Sequence, residues 1–172
     1  MLVFNSETKE KKEIELDSVQ QTISIYGFPR KNNARRDEHN PTRLLSKQNK
    51  IYFNTISRDR KRLDIHVADI ATGEVKTLIE EHSNVYIENR GKTIVLFNNE
   101  SEILFWSERD GWGHFYLYDS DGNLKRQVTN GPFHVDGFEG INEKERTVFF
   151  TANGIEKDQD PYYEHLYKIN LD

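Results

Sequence analysis

Short runs of hydrophobic residues alternate with charged turns along this chain, and the alternation repeats. In the clearest copy, a hydrophobic run at 103–106 is followed by a charged turn at 108–111 and a second run at 114–118. The dipeptide Asp121-Gly122 favours a tight hairpin turn and leads into a third run at 124–128. β-Branched and aromatic residues dominate these runs, so the pattern predicts three antiparallel strands in each copy.

Further copies lie on both sides of this one. The earlier copy has runs at 51–54, 63–68 and 75–79, and the later copy has runs at 147–151 and 165–169, separated by a longer turn at 154–161. Two short runs at 2–5 and 14–16 match the last two strands of a copy. Asp69, Asp119 and Asn170 end equivalent runs at intervals of about 50 residues, a period that is typical of β-propeller blades.

Weaker segments complete the pattern. The runs 85–87 and 135–141 each precede a strong run, so we expect them to form the inner strand of their copy. The run 93–97 is also apolar, but the pattern gives it no place. Helix signals are poor, and the best helical stretch, 17–21, is short.

The repeat predicts an all-β fold: a partial β-propeller of about three antiparallel blades plus a part-blade, cut from a larger propeller. We expect the end of one blade at 1–17, a blade with a basic insertion (28–43) at 18–80, a blade at 81–131 and an incomplete blade at 132–172. A closed ring needs at least four blades, or roughly 200 residues at this period, and the chain has 172. Blade edges left exposed would favour a homodimer.

The composition favours a packed core and argues against several classes of function. Hydrophobic residues make up 35% and aromatic residues 12% of the chain. The net charge of -5 argues against a polycationic nucleic-acid-binding domain. No apolar run approaches the ~20 residues needed to span a bilayer, and no signal peptide is apparent. The chain has no cysteine, which excludes disulfides and thiolate chemistry.

Catalytic and metal-binding motifs are missing from the sequence. It contains neither a Gly-x-Ser-x-Gly elbow nor a phosphate-binding glycine loop, so we expect no catalytic residue and no cofactor. His66, His114 and His165 occupy similar strand positions, where a hydrogen-bonded structural histidine is expected rather than a metal ligand. The segment 119–123 partly matches a calcium loop, but its glycine comes too early and no glutamate follows at position twelve. It is predicted to be a hairpin turn, and no metal site is expected.

Two polar clusters remain as candidates for binding. The basic segment 28–43, together with the basic residues at 58–62, could form a positive patch. Only Phe28 is near enough to stack on bases, so a solvated loop that docks on a neighbouring domain is expected rather than a nucleic-acid site. Glu108, Arg109, Asp110 and Trp112 place opposite charges beside an aromatic residue. This segment is either an ion-paired turn or a loop at the mouth of the propeller.

The segment 107–119 resembles a blade of the dipeptidyl peptidase IV type, within the prolyl oligopeptidase family. The segments 127–133, 148–154 and 165–169 resemble the same family in the same order. The resemblance covers most of the chain and is densest over 50–172. It implies a parent enzyme with an amino-terminal eight-bladed propeller and a carboxy-terminal α/β-hydrolase domain, which removes dipeptides after Pro or Ala. Such a parent is periplasmic, extracellular or membrane-anchored.

The resemblance also implies which functional residues to expect here. The family's Ser, Asp and His triad lies in the hydrolase domain, which is absent from this sequence. Glu80-Glu81 lacks the Trp and Tyr of the family's amine-binding motif. Tyr86 and Arg90 are the nearest candidates for an aromatic residue and an arginine that face the substrate cavity.

The implied role is to gate and shape the access of peptides with a penultimate Pro or Ala to the cognate hydrolase domain, without catalysis by this chain alone. The alternative is a stand-alone β-repeat scaffold that binds proteins.

Overall fold

The structure is a computed structural model that describes residues 1–16, 21–26, 46–88 and 94–172. All regular secondary structure in these ranges is β-strand, and every strand pairing is antiparallel. No helix in these ranges is long and apolar enough to cross a membrane. The chain divides into two compact units, Met1–Glu88 and Asn89–Asp172.

The first unit contains a two-stranded and a four-stranded sheet. The small sheet pairs β1 (Leu2–Phe4) with β2 (Lys11–Glu13). The larger sheet follows chain order, with β3 (Gln21–Ile25), β4 (Lys50–Ser57), β5 (Arg62–Asp69) and β6 (Val75–His82). Strand β4 is buried along almost its whole length. Its residues Ile51 and Phe53 form a core with Ile14 and Ala68, which packs the hairpin against the larger sheet.

The second unit contains a four-stranded and a three-stranded sheet. The first sheet comprises β7 (Val95–Phe97), β8 (Glu102–Ser107), β9 (His114–Asp119) and β10 (Leu124–Gln127). The second comprises β11 (His134–Asn142), β12 (Thr147–Asn153) and β13 (Glu164–Asn170). A shared core joins the facing sides of the two sheets, with Trp106 and Phe115 from one sheet packed among Val135, Val148 and Phe150 from the other.

The same side-chain turn recurs after one strand of every sheet. The side-chain oxygens of Asn5, Asp69, Asp119 and Asn170 each accept a hydrogen bond from the backbone N–H two residues further on, at 2.9, 2.8, 2.9 and 2.7 Å. Asn and Asp favour such Asx turns because their short side chains replace a backbone acceptor. The repeat read from the sequence therefore corresponds to one recurring Asx turn, which closes a hairpin at Asn5, Asp69 and Asp119 and follows the last strand at Asn170. It also confirms the hairpin turn predicted at 119–123.

The predicted strand positions were accurate for the strong hydrophobic runs and less accurate for the weak ones. The strong hydrophobic runs predicted between 51 and 79, between 103 and 128 and between 147 and 169 all form strands. The weaker run 135–141 also forms a strand. The strand predicted at 85–87 was wrong, because that segment lies across the β4–β5 turn, where the amide of Ile87 donates to the Arg60 carbonyl. The apolar run at 93–97 supplies β7 instead.

Near the amino terminus, two further expectations need correction. Strand β2 covers Lys11–Glu13 rather than the predicted 14–16. Strand β3 begins at Gln21, the last position of the predicted helical stretch, and the rest of that stretch, 17–20, lies outside the described residues. Both differences fall where polar residues dilute the hydrophobic signal.

Candidate functional site

The loop that joins β8 to β9 carries Glu108, Arg109, Asp110 and Trp112, and we call residues 108–113 the β8–β9 loop. Its first half is a tight turn, in which the Gly111 amide donates to the Glu108 carbonyl at 2.9 Å. Gly111 has φ +87°, a left-handed conformation that glycine adopts without steric cost. The turn brings the sequence-predicted residues Glu108, Arg109 and Asp110 together at one end of a buried hairpin.

Arg109 is held in place by the strands on either side of the loop. Its Nε donates to the hydroxyl of Ser107 at 3.0 Å. Its guanidinium lies 4.4 Å from the ring centroid of Tyr116 and 5.9 Å from that of Tyr118. A cation over an aromatic face is attracted by the ring quadrupole, so both tyrosines of β9 fix the position of this charge.

Asp110 is anchored to the same tyrosine. The Tyr116 hydroxyl donates a hydrogen bond of 2.6 Å to the Asp110 carboxylate, and hydrogen bonds to an ionised acceptor are among the stronger ones. The ring of Tyr116 therefore contacts a cation while its hydroxyl holds an anion. The loop presents one positive and one negative group in a fixed arrangement.

Gly113 pins the other half of the loop to β11. Its carbonyl accepts from the Val135 amide at 2.9 Å, and its amide donates to Nδ1 of His134 at 3.3 Å. A Cβ at this position would lie 2.3 Å from the Trp106 ring, so only glycine allows this close approach. Beside it, Trp112 remains 46% exposed, and its indole is an exposed aromatic surface next to the two fixed charges.

His114 supports the base of the loop and is buried in a closed hydrogen-bond network. Its Nε2 faces the Gly131 carbonyl at 3.0 Å and therefore donates, while Nδ1 lies 3.1 Å from the Thr129 hydroxyl. The same hydroxyl accepts from the Phe115 amide at 3.0 Å. This arrangement is the structural role expected for His114.

His66 occupies a similar position in the first unit. Its two ring nitrogens lie 2.8 Å from the Thr55 hydroxyl and 3.0 Å from the Thr77 hydroxyl. Burial is the main cause that lowers the pKa of His66. The residues described contain no group of three or more His, Asp and Glu side chains arranged to hold a metal ion.

An open cavity of about 690 Å³ in the first unit borders His66. Its charged lining residues are Glu13, Glu15, Arg62 and Asp64. Arg62 is ion-paired with Asp64 at 2.8 Å and with Glu80 at 3.4 Å. Its charge is therefore neutralised locally, which removes one member of the positive patch considered from the sequence.

The other predicted residues lie outside the loop. Tyr86 belongs to the first unit, is 54% exposed and has the Arg60 guanidinium 5.0 Å above its ring. Arg90 and the basic segment 28–43 lie outside the described residues. The sequence alone did not indicate three anchors of this region, Ser107, Tyr116 and Thr129. Tyr116 and Tyr118 are two positions apart and therefore lie on the same face of β9. This spacing could have indicated the two ring contacts of Arg109.

Repeated antiparallel sheets whose hairpins close with the same Asx turn define a protein built from β-propeller blades. Residues 37–172 match the family model of the dipeptidyl peptidase IV N-terminal region, and the chain belongs to this family. The predicted family and the predicted partial-propeller fold are thereby confirmed.

Individual relatives are distant in sequence but similar in fold. Dipeptidyl peptidase 4 of Arthroderma otae is 23% identical over 132 residues, which are 75% of this chain and 16% of that protein. The crystal structure of Porphyromonas gingivalis dipeptidyl peptidase 4 matches 99% of this chain and 21% of its own, with a TM-score of 0.77 and 17% identity. A putative dipeptidyl aminopeptidase IV from Bacteroides ovatus matches 98% of this chain and 24% of its own, with a TM-score of 0.72 and 19% identity. The chain thus spans less than a quarter of each relative.

Proposed function

We propose that this chain is the propeller portion of a dipeptidyl peptidase IV-like serine exopeptidase. Its role is to gate and shape the access of peptides to a hydrolase domain that this sequence does not contain. The observation that carries the proposal is the family match over residues 37–172. The proposed substrates of the whole enzyme are peptides with a penultimate Pro or Ala, in keeping with the dipeptidyl peptidase names of the relatives.

The anchoring of the β8–β9 loop supports a gating role. Arg109 and Asp110 are both held by Tyr116, and Gly113 is tied to β11. A loop that is ordered before a ligand arrives loses little entropy on binding, and it excludes chains too bulky to pass. Such a loop filters by shape and takes no part in bond breaking. Trp112 is its proposed contact surface for peptide.

The substrate-cavity residues are proposed on a separate basis. Tyr86 and Arg90 keep the role that the family resemblance implies for them, an aromatic residue and an arginine facing bound peptide. The exposure of the Tyr86 ring supports this role, because a ring already covered on both faces could not contact a ligand. The Arg60 guanidinium on one face of the ring sets its orientation.

The first test is catalytic. The purified chain is incubated with Gly-Pro and Ala-Pro chromogenic substrates, beside a full-length dipeptidyl peptidase 4 as positive control. We expect release of chromophore only in the control, because the sequence has no Gly-x-Ser-x-Gly nucleophile elbow. Hydrolysis by the chain alone would show that it carries a catalytic centre and would contradict the proposal.

The second test separates a gate from a stand-alone scaffold. The gene downstream of Asp172 is read for an in-frame hydrolase domain, and Trp112→Ala is made in the enzyme that contains it. We expect a changed kcat/KM for long peptides and an unchanged kcat/KM for a dipeptide chromogenic substrate, with Tyr162→Ala, an exposed tyrosine in another loop, as the control. A stop codon directly after Asp172 would favour the scaffold instead.

A further inference from the structure

The β4–β5 turn (residues 58–61) holds an arginine in a conformation that arginine rarely adopts. The Arg60 amide donates to the Ser57 carbonyl at 2.9 Å, as the Gly111 amide donates to the Glu108 carbonyl in the β8–β9 loop. Arg60 has φ +58°, and Gly111 has φ +87°. This left-handed region suits glycine and disfavours a residue with a side chain. Strain of this kind concentrates at functional sites, so the side chain of Arg60 was searched for a role.

The guanidinium of Arg60 has no hydrogen-bond acceptor among the described residues. Its Nε is sealed from solvent and makes no hydrogen bond. Its Nη groups reach solvent and also lack an acceptor in this part of the chain. Because buried donors in folded proteins are nearly always paired, an arginine left in this state is an open position for an anionic acceptor.

Tyr86 fixes the position of this unpaired cation. The Arg60 guanidinium lies 5.0 Å from the centroid of the Tyr86 ring, and a cation over an aromatic face is attracted by the ring quadrupole. The segment that carries Tyr86 is tied to the turn at two points. The Ile87 amide donates to the Arg60 carbonyl and the Ser83 amide to the Lys61 carbonyl, each at 2.8 Å. The fork of the guanidinium is therefore held in place before any ligand binds.

The charges of the turn favour an anion at this position. Residues 58–61 contain three basic side chains and one acid, Asp59. The Asp59 carboxylate is already engaged within the turn, where it accepts from the Ser57 hydroxyl at 2.6 Å. Arg58 and Lys61 are exposed on either side of Arg60. An approaching anion therefore meets an excess of positive charge around the open guanidinium.

We propose that Arg60, stacked on Tyr86, binds a carboxylate of the peptide that this propeller admits, so that the enzyme prefers peptides with an acidic group at one fixed position. The carboxylate comes from an Asp or Glu side chain or from the carboxyl terminus of the peptide. The planar fork of a guanidinium matches the two oxygens of a carboxylate. This inference rests on the proposed function, because its ligand is part of a peptide substrate.

The preference is tested in the full-length enzyme with peptides that have a penultimate Pro and a single Glu placed at successive later positions. Each is compared with its Gln counterpart, and we expect kcat/KM to be about tenfold higher for Glu at one position. Amidation of the carboxyl terminus separates the two sources, because it lowers kcat/KM by a similar factor only when the terminal carboxylate is the ligand. Equal kcat/KM across all Glu and Gln pairs and across free and amidated peptides would overturn the proposal.

Variants of the turn show whether Arg60 is responsible. Glycine adopts φ +58° without steric cost, so Arg60→Gly should keep the thermal midpoint and lose the preference. Lys11→Gln removes the same charge from the exposed strand β2 and should keep the preference. Tyr86→Leu should reduce the preference, and Tyr86→Phe, which restores the ring, should recover it. A preference that survives Arg60→Gly would contradict the assignment.

Binding to the purified 172-residue chain separates this inference from the proposed function. Fluorescently labelled Glu and Gln peptides are titrated with the chain, and anisotropy reports binding without any catalysis. Binding of the acidic peptide that is about tenfold tighter, and that is lost in Arg60→Gly, supports the carboxylate site even where no hydrolase domain follows in the gene. Equal binding of both peptides to the chain overturns the site and leaves the gating role standing.

Discussion

Glu102 on β8 accepts two hydrogen bonds from the guanidinium of Arg146, at 2.8 and 3.2 Å, across 44 positions of sequence. Lys125 and Asn98 also donate to this carboxylate, which is only 4% exposed. Arg146 reaches on to Asp172 at 2.7 Å. Because Arg146 lies in the turn before β12, this network links the two sheets of the second unit at one point.

Removing the negative charge from this point should destabilise the protein. Glu102→Gln leaves Arg146 and Lys125 facing a neutral amide, and because both cations are partly exposed, the cost is about 1–3 kcal/mol of unfolding free energy. Urea denaturation measures the loss. Glu145→Gln, an exposed carboxylate in the neighbouring turn, is the control and should change stability by less than about 0.5 kcal/mol. Equal effects of the two variants would contradict the role of Glu102.

The same carboxylate should make the protein sensitive to acid. Hydrogen bonds from Arg146 are the main cause that lowers the pKa of Glu102 from 4.5 to about 2. Because the folded-state pKa lies below the unfolded-state value, the stabilisation is complete above pH 4.5 and is lost as the pH falls towards 2. We expect the unfolding free energy of the wild type to fall more steeply over this window than that of Glu102→Gln. Parallel curves would exclude Glu102 as the source.

Gly113 should tolerate no side chain. A Cβ there would lie 2.3 Å from the Trp106 ring and 2.7 Å from His134. Gly113→Ala therefore forces the indole away from the core, at a cost of about 3 kcal/mol. Gly140→Ala, on the same strand that Gly113 contacts, meets no atom within 4 Å, so thermal unfolding should show little change. Similar losses in both variants would mean that glycine matters there for another reason.

Thr129 should matter through its hydroxyl rather than its shape. Thr129→Val keeps the volume but leaves the Phe115 amide and the His114 ring without their partner. Unsatisfied buried groups cost about 1–3 kcal/mol. Thr129→Ser keeps the hydroxyl and should recover most of the stability in urea denaturation. If Ser and Val were equally damaging, the lost methyl contact would outweigh the hydrogen bonds.

The Asx turns allow a comparison within one chain. Asp119 accepts from the Asp121 and Asn123 amides at 2.9 and 2.8 Å, and Asn fills the equivalent place at positions 5 and 170. Asp119→Asn keeps the acceptor of the turn but loses the second oxygen that accepts from the Asn123 side chain at 2.8 Å, so the thermal midpoint should fall less than in Asp119→Ala. Asp119→Ala should lower stability by about 1 kcal/mol, since it removes the acceptor. A large loss in the Asn variant would indicate that the charge is needed.

Strand prediction succeeded where burial forces a strong pattern. The runs that became β4, β8 and β9 are buried along nearly their whole length, so their composition is strongly constrained. Strand β3 pairs fully with β4, yet its sequence, Gln21–Ile25, begins with polar residues and was not recognised. The segment 85–87 looked like a strand, but Val85 and Tyr86 are exposed. Hydrophobic residues alone did not distinguish it from a true strand.

The candidate site was only partly readable from sequence for a similar reason. Glu108, Arg109 and Asp110 are consecutive in the sequence, so their position in one turn could be predicted from local spacing alone. The stacking of Arg109 on Tyr116 depends on the register of β8 against β9, which is a tertiary property. Likewise, the tie between Gly113 and Val135 joins segments of different sheets. No local pattern encodes such contacts.

The hairpin turns that begin at Asn5, Asp69 and Asp119 each find their hydrogen-bond acceptor within the turn itself. Closing such a short loop costs little chain entropy and needs no help from distant residues. Folding can therefore start at several places and spread from each, as in other proteins built from repeats. During synthesis, each hairpin can close as soon as both of its strands have left the ribosome. A substitution that prevents one hairpin from closing leaves the other hairpins able to start folding.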